Sequence, residues 1–156
     1  MFFLQILNTF LLLLTAAGIA YVAYQMYATN RSRRDADLYE KRLNVYREIV
    51  RLLSAISRDG DISRHDLVDF RSKTQESAFL FDTDVSDFIE KVYSQASQLR
   101  STNDLLRSAK LPIGDERDEI TVENSKQLIW LADQLPSLNK RFAPYLRSEA
   151  GAQEVP

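Results

Sequence analysis

The sequence predicts an all-α protein, with an N-terminal single transmembrane helix followed by an antiparallel bundle of about four helices. Three observations carry this. Residues 1 to 30 hold no charged side chain. From about residue 35 onward, apolar residues recur at intervals of three and four, the repeat of helices with one buried face. Only four glycines and four prolines punctuate 156 residues, so breaks between helices are few.

The N-terminal stretch from Phe2 to Ala28, FFLQILNTFLLLLTAAGIAYVAYQMYA, would reach roughly 40 Å as a helix, against a hydrocarbon core of about 30 Å. Tyr21, Tyr24 and Tyr27 suit a headgroup boundary at one end. A cleaved signal peptide, with Gly18 and Ala20 before the cut, fits less well: basic residues do not precede the apolar core, and apolar character continues past the candidate cut. Arg31, Arg33 and Arg34 follow at once and are the expected contacts to the membrane surface. By the positive-inside rule they place the chain in the inner (plasma) membrane as a single-pass protein, with its N-terminus outside and its C-terminal domain cytoplasmic. The division expected is an anchor over 1–30, a cytosolic helical domain over 31–147 and a disordered tail over 148–156.

Charge distribution agrees with that orientation. Residues 31 to 51 hold seven Lys or Arg against four acids, whereas 59 to 90 hold three against nine, within a net charge of −2. Basic residues near a membrane are drawn to anionic lipid, and an acidic distal surface is repelled. With no cysteine there is no disulfide, thiolate nucleophile or cysteine-based zinc site.

The first helix of the domain should run from about Asp35 to Ser57. Tyr39, Leu43, Tyr46, Val50 and Leu53 form its seam, widened by Ile49, Leu52 and Ile56, and nothing between Ala28 and Asp35 prevents continuity with the preceding helix. Asp59 and Gly60 favour a turn. Ser63 followed by Asp66 reads as a capping box that opens a second helix carrying Leu67 and Phe70. This helix should end before Ala78-Phe79-Leu80-Phe81. Asp82 or Thr83 caps the next, in which Val85, Phe88, Ile89, Val92, Tyr93, Ala96 and Leu99 give the strongest amphipathic pattern, ending near Ala109. The last helix should start within Asp115 to Thr121, where acids complement the positive end of the helix dipole. Val122, Leu128, Ile129, Ala132 and Leu135 mark its buried face, and Pro136 must kink or restart it. The pattern resumes at Leu138 and Phe142.

Three pieces, LNVYREIVRLLSAISRDGDIS, SAFLFDTDVSDFIEKVY and RFAPYLR, with their spacing, resemble a group of uncharacterised small bacterial helical proteins over about residues 38–147. The resemblance implies a bacterial origin and a helical fold; no activity comes with it.

Chemistry is thin. Asp59-Gly60-Asp61-Ile62-Ser63 with Asp66 imitates half of an EF-hand loop, but aligning Gly60 with the loop glycine puts Ala55 where the first carboxylate is needed. His65 is the only histidine, and one imidazole is no zinc site. The acids Asp82, Asp84 and Asp87, and Asp115 to Glu119, sit at helix starts, where capping explains them. No phosphate loop or catalytic signature occurs. The expectation is no enzyme, no cofactor, no metal and no nucleic-acid partner, since the domain is acidic.

What remains is interaction. Ala16, Ala20 and Ala23 share one helix face and would let two copies approach closely, which gives a homo-oligomer through the span. Phe79, Phe81, Trp130 and Tyr145 are large apolar groups near breaks or beyond the stripe and would form a partner patch if exposed together. The function expected is a membrane-anchored cytosolic interaction or scaffolding module, whose partners are the lipid bilayer and a protein. The alternative is a membrane-active, toxin-like or envelope-perturbing protein acting through an oligomerising span; an enzyme ranks third.

Overall fold

A computed structural model describes residues 2–108 and 114–146. They form six α-helices: α1 (Phe2–Asp59), α2 (Arg64–Thr74), α3 (Ser77–Leu80), α4 (Thr83–Arg107), α5 (Asp115–Gln134) and α6 (Leu138–Leu146). A single 3-10 turn, Leu135–Ser137, separates α5 from α6. The tail expected over 148–156, and the expected end of α4 near Ala109, lie outside the described residues. The chain divides into two compact units, Met1–Leu38 and Tyr39–Pro156.

The transmembrane helix is a correction. Among the described residues no helix is long and apolar enough to cross a membrane. The N-terminal segment is the start of α1, which continues to Asp59, the continuity that the residues between Ala28 and Asp35 allow. Its apolar run is interrupted by Gln5, Thr15, Gly18 and Gln25, and by the hydroxyl-bearing Tyr21 and Tyr24. The single-pass reading and the placement in an inner membrane with a cytoplasmic body fall with it.

The second unit is a helical bundle. Its local starts and stops follow from side-chain chemistry. Gly60, at φ 65°, adopts the left-handed conformation that closes α1, and its N–H donates to the Ile56 carbonyl at 2.8 Å. Ser63 then caps α2, its hydroxyl accepting the Asp66 N–H at 3.0 Å, as the capping box requires. Asp82 caps α4 by accepting the Val85 N–H at 3.2 Å. Pro136 cannot donate within a helix, and the backbone answers with the 3-10 turn before α6 restarts.

The core collects Ile49, Leu53 and Ile56 of α1, Phe70 of α2, Val92, Ala96 and Leu99 of α4, Leu131 of α5, and Leu138 and Phe142 of α6, all essentially inaccessible. The α4 stripe is the one the sequence predicts. On α1 the buried line is Val45, Ile49, Leu52 and Ile56 together with Leu53, whereas Tyr39 is exposed and Leu43, Tyr46 and Val50 are half-buried. The seam is therefore rotated toward its expected flank. Tyr46 stays at the rim because its hydroxyl needs a polar partner, which it finds in Asn139.

On α5 the difference is larger. Val122 and Ile129 are exposed, and the buried positions are Gln127 and Leu131. Hydrogen bonds pair Thr102 with Gln127, Asn103 with Asn124, and the Leu106 carbonyl with Arg117, so α4 and α5 run antiparallel. It is this polar register that turns Gln127 inward.

Burial sets the expected cost of truncation. Leu131→Ala should lower unfolding free energy by about 2–5 kcal/mol, whereas Phe79→Ala, at a side chain 89% exposed, should stay within about 0.5 kcal/mol. Urea unfolding followed by circular dichroism measures both, and equal costs would contradict this packing.

Candidate functional site

At one end of the bundle a polar lattice joins the turn after α1 to α4 and α5. The Asn103 amide donates to the Gly60 carbonyl at 3.1 Å and to Asp61 Oδ1 at 2.8 Å. Asn124 donates to Asn103 Oδ1 and to Thr102 Oγ1, both at 2.8 Å. The Thr102 hydroxyl lies 3.0 Å from Gln127 Oε1, and Gln127 Nε2 donates to Glu123 at 3.1 Å. Arg107 pairs with Asp61 Oδ2 at 2.8 Å, and Arg100 donates to the Ile62 carbonyl at 2.9 Å.

Partial burial pushes the Asp61 carboxyl up, but the donors Asn103, the Ile62 backbone and Arg107 together outweigh it and hold the group below its ordinary 3.8. General acid-base work needs a group free to reach the proton it moves, whereas Asp61 is engaged by Asn103 and Arg107. His65 is exposed, with Asp69 3.8 Å away as its neighbour. No group of three or more His, Cys, Asp or Glu able to hold a metal occurs among the described residues. These bonds fasten the α1–α2 turn to the α4–α5 pair.

A second cluster surrounds α6. Phe81 meets Phe142 and Tyr145 edge-on at 5.3 Å between ring centroids, and Tyr46 lies 5.6 Å from Phe142. Arg42 donates to the Leu80 carbonyl at 2.8 Å and places its guanidinium 5.5 Å from the Tyr145 ring. Tyr145 donates a hydrogen bond from its hydroxyl to Asp82, which, helped by the Val85 N–H, lowers the pKa of that carboxyl and raises that of the phenol.

The expected partner patch is not assembled here. Phe79 is exposed, Phe81 is buried in this aromatic cluster, Tyr145 is half-buried against it, and Trp130 is half-buried with the Lys91 ammonium 5.0 Å over its ring. One-turn helix α3 explains the split: Ser77 and Leu80 face inward at i and i+3, which leaves Phe79 on the outer side.

The first unit presents the other surface. Leu11, Leu13, Leu14, Ile19, Val22 and Met26 of α1 are each at least 55% exposed, as are Tyr21, Tyr24 and Tyr27. Ala16, Ala20 and Ala23 lie exposed among them. Polar groups here are served locally, as where Gln25 donates to the Tyr21 hydroxyl at 3.0 Å, one turn back. Arg34 is exposed on α1, while the side chains of Arg31 and Arg33 lie outside the described residues. A contiguous apolar surface of this kind is what interaction sites present.

No family model, curated protein or solved structure matches this chain.

Sequence reasoning missed Asn103, Asn124 and Gln127. A signal was present: Val92, Ala96 and Leu99 continue at the next seam position as Asn103, and Leu131 is preceded at four and seven residues by Gln127 and Asn124. Polar amides on an apolar stripe mark a hydrogen-bonded register.

Two outcomes follow. Asn103→Ala should cost about 1–3 kcal/mol, because it strips partners from Asp61, the Gly60 carbonyl and Asn124 at once; thermal unfolding with no loss of midpoint would contradict the lattice. The folded-state pKa of Asp82 lies below the unfolded 3.8, so its stabilising contribution is present above that pH and is lost as pH falls through the folded value. Tyr145→Phe should therefore flatten the fall of the urea midpoint below pH 3.8, and an unchanged acid profile would show that the hydroxyl does not bind Asp82.

Proposed function

We propose that this chain is a helical interaction module: a packed bundle that carries, on the N-terminal half of α1, a surface for docking protein. One observation carries the reading. Large apolar side chains of α1 from Leu11 to Tyr27 stand exposed in the first unit, while the second unit buries its own apolar stripe. Exposed apolar area of that extent favours association, at about 25 cal/mol for each Å² removed from water.

The bundle contributes rigidity. Its lattice and aromatic cluster consume the polar and charged groups that a catalytic site would leave pointed at a substrate. A scaffold of this sort works by raising the local concentration of what it holds, without chemistry of its own.

A photoreactive amino acid placed at Ile19 or Val22 of the full-length chain, in the cells that express it, tests the reading. Protein adducts should form there in clear excess over the same probe at Ser72, an exposed position on α2. Equal yields at the three positions would contradict the docking surface.

A further inference from the structure

We infer that α6 is a strap, hinged at the Leu135–Ser137 turn, that opens as a unit of its own and, when closed, fills an aromatic slot of the bundle with Phe142. Tyr46 of α1 and Phe81 form the slot, with ring centroids 5.6 and 5.3 Å from that of Phe142. Phe88 of α4 lies under the Arg141 guanidinium, 4.3 Å away. The inference is independent of the docking surface on α1.

The connection comes first. α6 joins the other described helices through the 3-10 turn, where Pro136 interrupts the helical bonding. Leu135 (φ −56°, ψ −46°) and Leu138 (φ −57°, ψ −47°) keep helical angles on either side, so the interruption is confined to the residues between them. A hinge is such a place, a few residues at an element's end that absorb a rotation.

The helix is also weak by itself. It has nine residues and contains Pro144, which cannot donate to the Lys140 carbonyl one turn back. A helix this short does not stand alone in water, so α6 is helical because it is docked.

Its polar ties lie at the rim. Arg141 reaches Asp84 at 3.3 Å, and the Asp84 side chain is 84% exposed. Tyr145 bonds Asp82, and Tyr46 bonds Asn139, both exposed residues. Exposed ion pairs add little stability. Arg141 Nε is buried without a hydrogen-bond partner among the described residues, and opening returns it to water. Against this stand two buried side chains, Leu138 and Phe142, which keep the strap closed at rest; α4 buries six, Val85, Phe88, Ile89, Val92, Ala96 and Leu99, and so gives way later.

Native-state hydrogen exchange of the full-length chain, in urea below the unfolding transition, tests the strap. After correction for intrinsic rates, the amides of Lys140, Arg141 and Phe142 should exchange at least about tenfold faster than those of Val92 and Ala96, and with a smaller urea dependence. Asn103→Ala, in the lattice apart from α6, should speed exchange at Val92 and Ala96 roughly tenfold and leave the α6 amides unchanged, because the strap opens with the lattice intact. Tyr145→Phe should speed the α6 amides by a similar factor. Exchange of α6 at the rate and urea slope of α4 in the unaltered chain would overturn the inference. So would α6 amides that quicken together with α4 in Asn103→Ala, or that do not respond to Tyr145→Phe.

Discussion

Apolar helix surface must be covered, and this chain meets that constraint in two different ways. In the second unit it is met internally: α4 offers Val85, Phe88, Ile89, Val92, Ala96 and Leu99 as one stripe, and side chains of the other helices in that unit close over it. Removing such area from water is the main favourable term in folding. In the first unit the described apolar side chains of α1 stay exposed, the kind of surface that interaction sites present.

The bundle's own packing depends on register as much as on hydrophobicity. An apolar stripe tolerates sliding, because one leucine replaces another at small cost. Amides do not, because each has few angles at which its donors and acceptors are met. Asn103, Asn124 and Gln127 therefore set where α5 sits against α4, and Asn103 extends the same restraint to Gly60 and Asp61. At α6 the restraint is aromatic: Phe142 reaches the core between Tyr46 and Phe81, and Tyr145 is tied to Asp82.

Much of this was legible in the residues. Ser63 and Asp82 cap where their chemistry says, Gly60 closes α1, and the α4 stripe is the buried one. The helical seam of α1 in the second unit was readable only to within one flank, because Tyr46 counts as apolar by periodicity but is held at the rim by its hydroxyl. The face of α5 was misread because Val122 and Ile129 outrank Gln127 on any hydrophobic scale, and the partners that bury Gln127 lie 25 residues away on α4. Reading Phe79 and Phe81 as one patch failed for a geometric reason, since a single helical turn separates neighbouring side chains onto opposite sides. The membrane reading of residues 1–30 rested on an uncharged stretch of sufficient length with tyrosines and arginines at one end, which says that a segment avoids water without saying what covers it.

Hydrogen exchange on the full-length chain, compared between the purified protein and lysate of the expressing cells, tests the central claim most directly. Backbone amides of α4 should exchange only through global unfolding in both, while those of residues 13–27 should exchange faster in the purified chain and gain protection in the lysate. Exchange over residues 13–27 that is the same in both would contradict a docking surface on the N-terminal half of α1.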